Sequence, residues 1–496
     1  MDINTFSSGG ILLEHRQVLN NVGAQTGAPT RLDISRNSFP SDFIFGVASS
    51  AYQIEGGALE GGKGPCTWDT ETSKPGRILD GSTANVACDS YHKYQADVDL
   101  IHNIGYDAYR FSIAWSRIYP EGVGERPNQE GLDYYNRLID SLLKSGIKPF
   151  ITLCHFDLPQ ALVDKFGGWH GSEIVPAFAA YAETCFKSFG DRVRHWITIN
   201  EPTIDLAFNA GVSAAMEANE VTRYKAGHNM ILAHAHAAKI YREKYQGSSD
   251  GVIGISLDIQ WFEPLTDSPE DIEASETALA FRGGWFLDPF FRGEYPAAIR
   301  KTWGYSLPSF TPEESRIVKG SADFLGVNYY TAYYVTSKPC DGFSNEPAFP
   351  VTMPSSVYVG DTKNGVLIGA QTPTGLRACP DGLARLLLFL KSKYGNPLIY
   401  ITENGYSEKR NPEMTLEESL QDGERTEFFR SHIRSLLEAH KNGVNVRGYF
   451  AWTLMDNFEW LWGYGFLFGI CYVDFQNNQK RYLKESALWF KKFLQK

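Results

Sequence analysis

Eight short apolar runs recur along the chain, at Phe43–Ala48, Ala108–Ile113, Pro149–Leu153, Trp196–Ile199, Val252–Ile255, Phe324–Val327, Leu398–Ile401 and Gly448–Trp452. Each is too short for a helix, and most are apolar at consecutive positions, the pattern of strands buried on both faces. The intervening segments carry helical spacing. Tyr91, Tyr94, Val98 and Ile101 form one stripe; Leu383, Leu386, Leu387 and Leu390 form another. No linker or low-complexity stretch divides the chain, and the eight units share no sequence period. Strand and helix in alternation call for a parallel sheet, and eight such units predict an α/β fold, a single (β/α)8 barrel with long loops after its strands. A doubly wound open sheet satisfies the same alternation. The first residues, with Gly, Ser, Asn and Thr around one apolar patch at Ile11–Leu13, fall outside the pattern. They predict a flexible extension over 1–36 ahead of a barrel domain over 37–496.

Composition narrows the class further. A chain of 496 residues, 43% hydrophobic and 21% charged, is neither disordered, collagenous nor coiled coil. Its net charge of −11, with no basic stripe, gains nothing from counterion release, so nucleic acid is not an expected partner. No apolar run approaches the ~18 residues of a membrane span. No basic stretch leads into a long apolar run, and no Asn-x-Ser/Thr acceptor occurs, so an intracellular, cytoplasmic location is expected. Cys66, Cys88, Cys154, Cys185, Cys340, Cys379 and Cys471 are odd in number, scattered and never in a CxxC pair. They read as buried thiols rather than a disulfide framework or zinc site. The sequence leaves a homo-oligomer open.

Candidate chemistry gathers where the apolar runs stop. The first is followed by Ser49-Ser50-Ala51-Tyr52-Gln53, the third by Cys154-His155-Phe156-Asp157, and the fourth by Asn200-Glu201-Pro202. Asn328-Tyr329-Tyr330 follows the sixth, Glu403-Asn404-Gly405 the seventh, and Asp456-Asn457-Phe458-Glu459-Trp460 comes shortly after the eighth. In a barrel these ends converge on one face. A glutamate at a strand end can cap a helix or pair with an arginine. Two that face each other across a barrel mouth match the pair that double-displacement glycoside hydrolysis requires, about 5–5.5 Å apart, one a proton donor and one a nucleophile. Their environments must differ. Arg110, ending the second run, and the Tyr330 hydroxyl are placed to hold Glu403 ionised, although an inter-strand ion pair is an equal reading of Arg110. Pro202 and neighbouring rings favour a protonated Glu201.

Gln53, His155, Asn200 and Glu459 offer hydrogen bonds to sugar hydroxyls, and Trp452 and Trp460 offer flat apolar platforms. Taken singly, each tryptophan reads as core rather than platform and His155 as a satisfied buried imidazole; together the set is hard to explain as packing. No second histidine stands at ligand spacing to His155. His234 and His236, two apart in an alanine-rich helical stretch, point to different faces, so no metal is expected. No organic cofactor is implied either, since protonation and covalent capture suffice.

These segments resemble family 1 glycoside hydrolases, and the plant β-glucosidases among them, from Phe39 to the last helix. The resemblance rests on Phe43-Ile44-Phe45-Gly46, Ser50-Ala51-Tyr52-Gln53-Ile54-Glu55-Gly56, Tyr109-Arg110-Phe111-Ser112-Ile113-Ala114-Trp115-Ser116-Arg117 and the strand-end motifs above, with Thr331 after Tyr330 and Ile401-Thr402 before Glu403. It implies a retaining O-β-glucosidase with Glu201 as acid/base and Glu403 as nucleophile. It further implies that Gln53, His155, Asn200, Tyr330, Glu459, Trp460 and Phe468 bind substrate, that Trp452 floors the sugar, and that Arg110 and Asn328 support the site. The expected partner is a small-molecule β-glucoside. Glutamate rather than glutamine at 201 separates the chain from the family's thioglucosidases. Glu459 argues for a neutral sugar, since a carboxylate repels phosphate; glucose is expected, with fucose or galactose as alternatives.

Departures from the family pattern fall on the aglycone side. Cys154 and Phe156 flank His155, Thr203 follows Asn-Glu-Pro, and a shortened segment Leu206–Glu220 runs into a helix at Tyr224. Gly375 replaces a tryptophan, Cys379-Pro380-Asp381-Gly382 forms the usual Tyr-Pro-x-Gly turn, and Leu467 stands where arginine precedes Phe468. Each lost ring removes up to ~150–250 Å² of contact surface, which predicts a wider mouth and a bulky aglycone, such as that of a plant specialised-metabolite glucoside of the monoterpenoid or indole alkaloid type. A transglucosidase using the same carboxylates, and a non-catalytic glucoside-binding relative, are the alternatives.

Overall fold

A computed structural model describes residues 34–208, 220–247, 250–345 and 353–495, apart from the side chain of Tyr305. Each of the eight apolar runs is a strand: β1 Ile44–Ala48, β2 Ala108–Ser112, β3 Lys148–Cys154, β4 His195–Asn200, β5 Val252–Asp258, β6 Phe324–Asn328, β7 Ile399–Asn404 and β8 Val446–Trp452. They pair in parallel in chain order, and β8 returns to β1 to close the barrel, which excludes the open doubly wound sheet. Outer helices follow the strands: α1 Ser90–Ile104, α2 Gln129–Lys144, α3 Ile174–Phe189, α4 Glu220–Ile240, α5 Pro312–Val318, α6 Pro380–Lys393, α7 Gly423–Lys441 and α8 Glu485–Phe493. α4 starts four residues before Tyr224.

Two apolar layers hold this together. The larger lies between strands and helices, where Leu383, Leu386, Leu387 and Leu390 of α6 and Val98 and Ile101 of α1 are buried, while Tyr91 and Tyr94 pack at its edge. The smaller fills the barrel interior with Ile44, Ala108, Phe150, Ile197, Phe324, Tyr400, Phe450 and Trp452. The interior is narrow: a Cβ on Gly46 would sit 2.3 Å from the Phe450 ring, so that ring lies over β1 only because the strand carries glycine there.

Of the expected N-terminal extension, residues 34–36 are described. Arg36 is buried and donates to the carbonyls of Pro40, Ser41 and Phe43. The remainder lies outside the described residues, as does most of the shortened segment after Glu201 (209–219). The cysteines are free thiols, but Cys340 is exposed, contrary to the expectation that all are buried, because it sits in the turn after the strand Ala332–Thr336. No helix among the described residues is long and apolar enough to cross a membrane.

Candidate active site

Side chains alternate along a strand, so an inward residue predicts its neighbour two positions on. Ala108 of β2 lies in the barrel interior, and Arg110 follows it inward. Simple alternation would turn Glu403 outward, since Tyr400 and Thr402 face in. A register shift between Ile401 and Glu403 against β6, a β-bulge, re-aims the carboxyl toward the mouth. β4 carries a comparable shift between Ile197 and Asn200, immediately before Glu201. Glu201 itself has φ +41°, and Phe156 and Trp460 have φ +69° and +50°. These non-glycine residues in the left-handed region cost of order 1–3 kcal/mol each, so the surrounding packing must enforce them.

The two glutamates are joined by an unbroken run of hydrogen bonds. Arg110 donates from Nη1 to Glu403 Oε1 at 2.6 Å and from Nη2 to Asn200 Oδ1 at 2.6 Å. Asn328 Nδ2 donates to the same Asn200 oxygen at 3.0 Å and to Glu201 Oε1 at 2.7 Å. Tyr330 donates to the other oxygen of Glu403 at 2.7 Å. Behind them, Ser256 donates to Thr402, and Thr402 to Asn328 Oδ1 at 2.6 Å, fixing the amide's orientation. Burial raises both carboxyls' proton affinity. For Glu201 the negative charge of Glu403 adds to it and the proton affinity is driven well above the ordinary value; Glu403 also stands above its ordinary value, but there the Arg110 guanidinium opposes the effect of burial, helped by Tyr330. One carboxyl therefore holds its proton more tightly than the other, the asymmetry an acid and a nucleophile need.

The same network fixes a tautomer. Asn200 Oδ1 is occupied by two donors, so its amide group points the other way, 3.2 Å from His155 Nε2. An amide N–H only donates, hence Nε2 accepts and the ring proton sits on Nδ1. Burial, and next Arg110, hold the imidazole neutral. Among the described residues Nδ1 has no hydrogen-bond partner, a buried donor awaiting an acceptor. The ring lies parallel to Trp452 and Trp460, at centroid distances of 5.6 and 6.0 Å. Trp460 is in turn backed by Trp68, Tyr52 and Phe156. Phe468 packs edge-on to Tyr330 at 6.2 Å, beside Trp452 in the interior cluster.

Gln53, on the short helix Ala51–Ile54, accepts from Ser50 and donates to Asn457 Oδ1, the Phe458 carbonyl and Glu459 Oε2. Burial and the Glu403 charge push Glu459 up to about 8, against the opposing Gln53 amide. All twelve sequence-derived candidates thus lie at the C-terminal face of one barrel. Sequence reasoning did not single out Ser256, Thr402 or Asn457 as orienting groups, nor the buried Asp258 and Arg282. Asp258 left a legible signal: it is the charged end of the fifth strand. Thr198 bonds His234 at 2.7 Å, a structural contact away from the mouth. Among the described residues no group of three or more His, Cys, Asp or Glu is arranged to hold a metal ion.

A closed barrel whose mouth gathers two unlike glutamates, neutral amides and stacked rings is a carbohydrate-processing architecture. The family model described as glycosyl hydrolase family 1 matches residues 35–496, and the chain belongs to that family. It is 46% identical over 506 residues to beta-glucosidase 11 of Oryza sativa subsp. japonica, covering 99% of this chain and 95% of that protein. It is 47% identical over 483 residues to the coniferin beta-glucosidase of Pinus contorta, covering 94% of each. Among solved structures, a rice beta-glucosidase mutant in covalent complex with glucose superposes with a TM-score of 0.89 at 44% identity, over 94% of this chain and all of that one. A Humicola insolens beta-glucosidase with bound glucose gives 0.86 at 41%, over 93% and 98%.

Proposed function

We propose that the protein is a retaining β-glucosidase that cleaves the O-β-glucosidic bond of a plant specialised-metabolite glucoside by double displacement. The unequal proton affinities of Glu201 and Glu403, linked through Asn328, Asn200 and Arg110, carry this reading. Ionised Glu403 attacks the anomeric carbon as Glu201 passes its proton to the departing aglycone oxygen, leaving a glucosyl ester on Glu403. Esterification removes the Glu403 charge, which lowers the proton affinity of Glu201. As a carboxylate, Glu201 then takes a proton from water, whose oxygen attacks the same carbon. Glucose leaves with its original configuration, and both glutamates return to their starting states. The Asn200 amide serves the sugar 2-hydroxyl, His155 Nδ1–H another hydroxyl, and Gln53 and Glu459 the far edge.

The aglycone class is argued from the mouth. Phe156 packs against Trp460 and Phe208 rather than extending a platform outward, and among the described residues nothing stands within 4 Å of a Cβ placed on Gly375. A wide mouth suits a bulky terpenoid or alkaloid aglycone. Glu403→Ala is expected to lose at least ~10³-fold in kcat and to regain activity with azide, giving α-glucosyl azide. Wild-type-like turnover in that variant contradicts the assignment. A kcat/KM panel of aryl, iridoid, terpenoid and alkaloid glucosides tests the aglycone, and preference for small aryl glucosides over all the bulky ones contradicts it.

A further inference from the structure

Asp258 closes β5 with a charge that the double-displacement steps do not use. Val252 of β5 packs against the barrel interior and positions 256 and 258 share its face; Ser256 reaches Thr402 from there. Asp258 lies in register with Asn328, the residue that donates to Glu201, and the backbone N–H of Glu201 donates to the Ser256 carbonyl two residues before Asp258. Asp258 is 7% exposed. Its Oδ2 accepts from Gln260 at 3.0 Å and from the guanidinium of Arg282, itself 2% exposed, on the helical turn Ala280–Gly284. Replacing such a buried pair by apolar side chains is often neutral or stabilising, so its presence beside a proton-transfer group calls for a role other than stability.

Around Glu201 stand Glu403 of β7 and Arg110 of β2, joined to it through Asn200 and Asn328, then Asp258 of β5 in register with Asn328 and carrying Arg282, with neutral His155 after β3 and Tyr330 after β6. Of the two negative charges acting on it, that of Glu403 disappears on glucosylation and that of Asp258 does not.

We propose that Asp258, clamped by Arg282, is a positioning residue for the acid/base: its constant charge keeps the proton on Glu201 before bond cleavage and strengthens the Glu201 carboxylate as a base for water afterwards. Burial and the like charges act in the same direction on Glu201. The proposal rests on Glu201 being the acid/base, and the test separates the two ideas.

The measurement is the pH profile of kcat/KM on the full chain with an aryl glucoside. Glu201→Gln must erase the alkaline limb; a surviving limb overturns the acid/base reading, whatever Asp258 does. Given that limb, Asp258→Asn is expected to move it down by roughly one pH unit, while Arg282→Lys, which keeps the cation, leaves it in place. Should Asp258→Asn not fold, the double variant Asp258→Asn/Arg282→Met leaves no unpaired buried charge and is expected to move the limb down by less, because loss of the Arg282 cation partly offsets loss of the Asp258 carboxylate. A uniform loss of activity with the limb unmoved means that the pair is structural, and overturns the proposal.

Discussion

Glu201 and Glu403 are the same side chain held in two fields, one facing an amide and a neighbouring carboxylate, the other a guanidinium and a phenol. That difference predicts how a substitution depends on the leaving group. Glu201→Gln should cost ~10²–10⁴-fold in kcat for alkyl glucosides, which need a proton, and far less for dinitrophenyl glucoside, which does not; equal losses would argue against proton donation. Glu459 carries a cost of its own. Its folded value of about 8 stands above the ordinary 4.5, so stability is lost as pH rises from about 4.5 toward 8 and the penalty is complete above that. Glu459→Gln is therefore expected to raise stability by roughly 2–4 kcal/mol at pH 8.5, little at pH 4.5, and to raise KM for glucosides; thermal denaturation at the two pH values checks it. At this scale the sequence was informative about residue type and position. It was silent on the His155 tautomer and the Asn200 orientation, which depend on partners from three other strands.

At the scale of elements, the eight strands were legible because burial on both faces leaves consecutive apolar residues, and α1 and α6 because their stripes repeat at helical spacing. The β-bulges were not legible. Nothing in Ile401-Thr402-Glu403 announces a register shift, since both Thr402 and Glu403 are polar and either could face the axis. Some motif residues proved structural: Glu55 accepts from Arg117 and Tyr135, each at 2.7 Å, and braces the loop after β1 rather than the sugar site. The loop bearing Glu459 is tied to the end of the chain. Lys484, at the N-cap of α8, donates to Asp456 Oδ1 at 2.9 Å, and the Gly469 N–H donates to the same oxygen at 3.0 Å. Both charged side chains are fully buried. Lys484→Met removes the ion-pair partner of Asp456, leaving Arg425 to act on it, and is expected to destabilise the fold by about 3–5 kcal/mol. KM should rise more than kcat falls, because the loop carries sugar contacts rather than the reacting carboxyls. A denaturation curve and steady-state kinetics on the same preparation check both parts.

For the whole molecule, buried titratable groups set the response to pH. Burial lifts Asp157 and Asp205 to about 7 and Glu459 to about 8. It depresses His195 and His432 to about 4 and His234 to about 3. About one unit above the ordinary histidine value of 6.5 these imidazoles are neutral in both folded and unfolded chains, so from about pH 7.5 the carboxyls decide. The folded state there holds protons that the unfolded state has lost, and stability is expected to fall as pH rises from about 7.5 to 8.5, read as a declining melting temperature; a rise across that window would contradict these assignments. Barrel closure was legible from the count of eight units, because eight parallel strands can shield every edge only by closing. Long-range ties such as Lys484 to Asp456 join segments whose proximity no local pattern encodes.

A covalent bond between Glu403 and the sugar can be trapped with a 2-deoxy-2-fluoro-glucoside that carries a good leaving group. Slow turnover of the fluorinated ester should let the enzyme gain the mass of one fluoroglucosyl unit, with the label on the peptide containing Glu403. An unlabelled enzyme that still turns over ordinary glucosides, or a label on any other residue, would contradict it.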